Sequence, residues 1–492
     1  MALIPLEIPP GLYANGTDMD GAGRWIDGNL VRWRDASLRP VGGWTQRVDT
    51  SAPTAPRAMK VWQDNSGDRW LVLGTSSKLY AVSGANVVSD ITPAGFTAGI
   101  EDAAVNIGYG GGFYGVGFYG TPREDSGVYS EATTWALDTW GEYLVGCTPD
   151  DGIIYEWRLV GATPAAQVAN APVDNLSLMV TQERFLFALG AGGNPRLVQW
   201  CDREDNTLWT PAATNEAGDI ELQTSGQVML GIRARGQALI LTDVDAHTAT
   251  YNGPPFVYSF EKVGSACGAI SRKCAAATDA GVFWMGQKGF FGFDGATVTE
   301  LPCDIHDKIF SDINPAQASK VWACEQSQNG EVWWFYCSEA SNEINRYAAF
   351  DYKAGYWTFG TLSRTCGEDR GVFRNPLWAD SAGIVYRHED GYNYDGAAVY
   401  AETGPISLGV GDSVMKINEL IPDEKTQGEV TATLKTRFHP NDVEREYGPY
   451  TMANPTCLRV TGRQVRLRID GAGLTPWRVG TMRVDAFAGG RR

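Results

Sequence analysis

One theme recurs along this chain: a short apolar strand, a tight turn, and a second strand carrying an aromatic. Residues 69–74 (Arg-Trp-Leu-Val-Leu-Gly) with 78–82 (Lys-Leu-Tyr-Ala-Val) form the first group, and further groups occupy 143–157, 184–200, 237–251, 281–295, 331–359 and 383–396. Their starts lie roughly 40–70 residues apart, near the period of β-propeller blades. A single small sheet of this kind cannot bury both faces, whereas sheets set radially bury each other and leave only short edges. The 58 Gly, 17 Trp and 20 Tyr fit many short strands joined by turns. The expectation is an all-β protein built on a β-propeller of about six blades, six or seven, since one of the seven groups could lie in an irregular blade or in a neighbouring domain.

The pattern divides the chain in three. Residues 51–400 carry the blade theme, interrupted at about 101–130 by an insertion rich in glycine and aromatics. Beyond 400 the pattern changes to strict alternation, as in Val465-Arg466-Leu467-Arg468-Ile469. Period two marks strands with one buried and one wet face, so 401–492 is expected to form an additional antiparallel β-domain, joined by the N-terminal arm. Residues 1–50 read as that arm. Pro5, Glu7, Pro9 and Pro10 break any signal-peptide core, and Arg24-Trp25, Arg32-Trp33-Arg34 and Trp44 sit among turn-forming glycines as anchors. No apolar run approaches the length that spans a bilayer.

The chemistry expected of most enzymes is missing from the sequence. The four histidines, His247, His306, His388 and His439, show no metal-ligand spacing, and the nine cysteines contain no CxxC pair. No GxSxG elbow or phosphate loop occurs. Neither a catalytic residue, a metal nor a cofactor is assigned, and the chain is read as a non-enzyme. The alternative is a propeller glycan-binding protein or glycosidase. Ser66-Gly67-Asp68-Arg69-Trp70 is a rough echo of the sialidase Asp-box turn, and 58 acidic residues could supply the carboxylate pair of a glycosidase. Formal net charge is −17. Residues 430–492 are locally basic at +6, leaving −23 on the remainder. So acidic a body is poorly suited to gripping phosphates.

Several stretches resemble one family. Residues 8–44, from Ile8-Pro9-Pro10-Gly11-Leu12-Tyr13 through Asp27-Gly28-Asn29-Leu30-Val31-Arg32-Trp33-Arg34 to Trp44, are similar to the N-terminus of tail nozzle proteins of short-tailed, podovirus-like bacteriophages, the packaged-DNA stabilisation or tail-hub group. Residues 330–360, with Glu331-Val332-Trp333-Trp334-Phe335-Tyr336 and Tyr347-Ala348-Ala349-Phe350-Asp351-Tyr352, are similar to its most characteristic stretch, and 466–492 resemble its ending. The resemblance implies a structural virion protein made in the host bacterial cytoplasm. It implies a homohexameric ring in the viral tail, below the adaptor or head-to-tail connector. Such a ring retains the packaged genome, passes double-stranded DNA without specific binding during ejection, and docks a tail fibre or tailspike.

On that reading, Arg24, Trp25, Arg32, Trp33, Arg34 and Trp44 fix the arm to the β-domain or to a neighbouring subunit, the other possibility being the subunit's own core. Arg466 and Arg468 share one strand face, which is either solvated or a partner surface. Phe113, Tyr114, Phe118 and Tyr119 of the insertion gate the channel or dock a fibre, or belong to a plain connector.

Overall fold

A computed structural model describes residues 3–105, 129–407, 413–423, 426, 429–471 and 473–490. The described residues form seven four-stranded antiparallel sheets of the blade type. In chain order, six of them span 56–90, 136–167, 177–221, 228–265, 275–300 and 322–361. The first strand of each blade lies beside the first strand of the next, and Cys366–Glu368 of the seventh returns to Pro56–Gln63 of the first. The ring is closed: a β-propeller.

The blade number is seven, the upper of the two counts expected, above the central figure of about six. Each of the seven strand groups in the sequence belongs to a separate blade, and none falls outside the ring. The seventh is composite. Its strands Cys366–Glu368, Leu377–Ala379 and Ile384–His388 are completed by Trp44–Asp49, pairing His388 with Trp44 and Ile384 with Asp49. Residues 44–49, taken from sequence as the end of the arm, are therefore part of the propeller.

Two further sheets make a sandwich. One orders Leu3–Leu6, Met482–Ala488, Met415–Ile421 and Thr456–Gly462; the other orders Trp25–Asn29, Tyr400–Thr403, Gln464–Gly471, Val430–Arg437 and Arg445–Thr451. Alternation does what period two requires: Val430, Ala432 and Leu434 point inward with Val465, Leu467 and Ile469, and meet Leu458, Val460, Met482 and Val484 of the other sheet in one core. The N-terminal segment thus supplies one strand to each sandwich sheet and one to the propeller.

Between those strands, residues 11–33 lie on blade 6. Leu12 N donates to Trp357 O at 2.8 Å, and Leu30 N donates to the Tyr347 hydroxyl at 2.7 Å. Leu30 sits at φ 54°, a left-handed turn that reverses the chain into the hairpin Val31–Arg34/Ser37–Pro40. Arg32 on that hairpin is buried against Glu331 (2.8 Å) and Glu389 (2.8 Å), and its Nη2 also donates to Gln326 Oε1 at 2.7 Å. Among the described residues no helix is long and apolar enough to cross a membrane.

Two outcomes follow for the closure. Trp44 is 4% exposed; its indole N–H donates to Asp395 at 2.6 Å and its ring lies over Tyr394 and His388. Trp44→Ala should lower unfolding stability by about 3–5 kcal/mol, read as a shift of the urea midpoint. His388 Nε2 accepts from Arg364 Nε at 2.9 Å. Burial, then the charge of Arg364, holds this imidazole well below its usual 6.5. The folded chain keeps it neutral while the unfolded chain protonates it, so its contribution is complete above pH 6.5 and is lost as pH falls. As pH falls below 6.5 the protein should lose stability faster than His388→Gln does, the extra loss steepening toward a limit of about 1.4 kcal/mol per pH unit. Urea titrations of both chains across that window check it.

Candidate functional site

The seven first strands enclose an axial channel with a cavity of about 390 Å³. Most of its wall is small or apolar, including Ala58, Leu137, Leu178, Ile232, Ala276 and Ala323. Charges interrupt it at similar depth on several strands. Asp138 of blade 2 is the hub: it pairs with Lys60 of blade 1 (3.2 Å) and Arg233 of blade 4 (3.1 Å) and accepts from Val180 N of blade 3 at 2.9 Å. Burial pushes Asp138 up, but Lys60 and Arg233 outweigh it and hold the carboxyl below the usual carboxylate range. The same attraction raises Lys60. Four consecutive blades are tied by one carboxylate.

Lys273 of blade 5 and Glu368 of blade 7 also line the channel. Burial lowers Lys273 to about 8, and burial raises Glu368 against the pull of Lys60 and Lys273. Glu325 of blade 6 is raised by burial and accepts from the Tyr352 hydroxyl at 3.0 Å.

One end of the channel is crossed by the stem of the insertion. Arg57 donates to Glu101 O at 3.5 Å, Asp102 pairs with Lys320, and Gln317 exchanges two hydrogen bonds with Ala103. Just after the return strand Tyr129–Ser130, Glu131 pairs with Arg272, and Ala132 N donates to Ser319 at 3.2 Å. These contacts join the segment between blades 1 and 2 to the starts of blades 1, 5 and 6, across the ring. Phe113, Tyr114, Phe118 and Tyr119 lie outside the described residues.

The arm residues are internal. Trp25, Trp33 and Trp44 are buried at about 4–5% exposure, and the rings of Trp25 and Trp33 pack at 6.0 Å. Arg24 pairs with Asp304 at 2.8 Å, Arg32 is buried as described, and only Arg34 stands exposed. The three tryptophans and Arg32 are therefore buried in this chain's own sandwich and propeller, Trp25 and Trp33 also lining a cavity of about 370 Å³ beside Leu38 and Val479.

Arg466 and Arg468 do share a strand face, yet neither is free. Arg466 pairs with Asp18 and with Glu444 at 3.3 Å; Arg468 pairs with Asp470 at 2.9 Å and stacks on Tyr400. Glu402, buried beneath them, is also held by Lys435 at 2.7 Å. Acids from the arm and the sandwich neutralise much of this face. The Asp-box echo is a hairpin turn: Asp64 caps it, accepting from Ser66 N, Asp68 N and the Trp70 indole.

Sequence reading passed over the channel residues. Their signal is a single charge inside the short apolar strand that opens a blade, as at Lys60, Asp138 and Arg233.

No protein-family model and no curated protein matches the sequence. Solved structures similar in fold include virginiamycin B lyase from Staphylococcus aureus (7% identity, 70% of this chain and 98% of that one, TM-score 0.43). The WD40 propeller domain of Doa1 is similar at 9% identity over 71% of this chain and 96% of its own, TM-score 0.40. BamB from Moraxella catarrhalis is similar at 11% identity over 70% and 99%, TM-score 0.36.

Asp138→Asn should leave Lys60 and Arg233 facing each other without a counter-charge. The expected loss is about 2 kcal/mol, below the cost of a fully buried pair because Arg233 is partly exposed and screened. Melting curves at low and high salt check this: added salt should recover part of the loss.

Proposed function

We propose that this chain is a structural, non-enzymatic tail component of a short-tailed bacteriophage: a nozzle subunit acting in a closed ring of six copies. The observation that carries the reading is spatial. The two stretches most similar to that family, residues 8–44 and 330–360, pack on one another through Leu12–Trp357, Leu30–Tyr347 and Arg32–Glu331. Residues that resemble the family in separate parts of the chain thus form one packed unit.

The axial channel is not the DNA path in this reading. A cavity of about 390 Å³ suits a small molecule, whereas the major groove of a duplex alone is about 12 Å wide. DNA would pass through the lumen between subunits. An acidic body has a use there, since a negative wall repels phosphates and keeps the duplex from sticking. The adaptor above and a fibre or tailspike at the side complete the proposed set of partners.

Negative-stain imaging of reconstituted tails, with mass measurement of the purified chain with and without the adaptor, tests this. A six-fold ring, formed alone or on the adaptor, is the expected result. Absence of the chain from purified virions overturns it, and glycan binding or sugar turnover by the isolated chain would then favour the propeller lectin or glycosidase.

A further inference from the structure

We propose that the axial channel is a blind pocket for a small zwitterion, an α-amino acid or short peptide, whose carboxylate meets Lys273 and whose amino group meets Glu368. The pocket is built by all seven first strands and has a volume of about 390 Å³, within the ordinary range for small-molecule sites. The insertion stem crosses one end through Glu131–Arg272, Asp102–Lys320 and Ala103–Gln317. Entry is from the opposite end, where the first strands finish at Arg233, Glu325 and Asp369.

The charges inside fall into two groups. Lys60, Asp138 and Arg233 satisfy one another. At the entrance, Glu325 holds the Tyr352 hydroxyl, and Asp369 accepts from Ser327 N at 3.2 Å through Oδ2 while its Oδ1 is buried without a hydrogen-bond partner. Arg57 and Arg272, at the crossed end, are held by Glu343 and Glu131. Lys273 and Glu368 are different. Among the described residues, neither the Lys273 ammonium nor the Glu368 carboxylate has a hydrogen-bond or ion-pair partner, although both line the cavity and Glu368 feels the charges of Lys60 and Lys273. They come from blades 5 and 7, with Cys324 of blade 6 between them.

That arrangement selects by charge. A bare anion attracted to Lys273 is repelled by Glu368, and a bare cation meets the reverse. A molecule carrying both charges satisfies both groups and removes the cost of holding each one ionised and unpaired away from bulk water.

Calorimetric titration of the full chain with glycine, L-alanine, L-glutamine and alanylalanine tests the proposal, with propionate and ethylamine as the two halves of alanine. Saturable binding of at least one zwitterion and of neither half is expected. Affinity should fall about tenfold or more in Lys273→Met and in Glu368→Gln, since each leaves one ligand charge unmet. No saturable binding of any of the four overturns the proposal, as does propionate or ethylamine binding as tightly as alanine. Folded variants that bind like the parent chain overturn it as well. Should either variant fail to fold, the comparison of alanine with its two halves on the parent chain decides.

Discussion

A propeller blade pairs its own strands but only packs against its neighbours, so a ring of blades is held shut wherever one sheet is completed from both ends of the chain. Here that place is blade 7, where Trp44–Asp49 pairs with Ile384–His388. Some 330 residues lie between the two strands, about the whole circuit of the ring. Pairing at such separation carries a large loop-closure cost, which grows only slowly with length once it is met. The cost is offset locally: Trp44 buries its ring against Tyr394 and His388 and hydrogen-bonds Asp395. The same few residues also fix the sandwich, because Arg32 on the neighbouring hairpin is held by Glu331 of blade 6 and by Glu389 just after the last strand of blade 7. Ring closure and domain docking thus draw on one short stretch of chain, residues 32–49.

Burying a guanidinium between two carboxylates is an expensive way to join two units. Desolvation alone disfavours all three charges, and Glu331 remains raised by burial even beside Arg32. What the arrangement supplies is register. Removing Arg32 strands two buried carboxylates, so the hairpin is favoured in the position where Arg32, Gln326, Glu331 and Glu389 meet. A wholly apolar contact would be comparably stable but could slide. We read the ion cluster as a fixing device for a segment that must serve a propeller and a sandwich at once.

The fold class was legible in the sequence because each blade's second strand is a dense apolar run, and these runs recur. The count was legible only as six or seven, because blade 7 lacks a complete set of its own strands and its closing partner sits at residue 44. No local pattern tells a strand which distant edge it joins. The alternation at 465–469 correctly placed Arg466 and Arg468 on one face, yet it could not show Asp18 and Glu444 arriving over them from elsewhere in the chain. The tryptophans of the arm were legible as anchors; what they anchor was not, since burial against one's own core and burial against another subunit demand the same residue types. The channel escaped notice for the opposite reason. A lone Lys60 or Asp138 in a strand looks like the wet side of alternation, and only the ring turns those wet sides toward a common axis.

That inward turn gives the acidic chain two electrostatic regimes. On the outside, net charge of −17 acts through water and salt, over a distance of about 8–10 Å. Along the axis, cations and anions are nearly balanced and poorly solvated, so what matters there is which groups remain unpaired. Asp138 shows how far pairing can go, drawing four blades together through one carboxylate. Lys273 and Glu368, of opposite sign, lie within the field of each other and of Lys60 but, among the described residues, make no hydrogen bond or ion pair with that network. Had the axis served only to hold the blades, apolar side chains at both positions would fill it without desolvating any charge. Retaining two unpaired charges in a space walled by seven strands carries a stability cost that packing does not require.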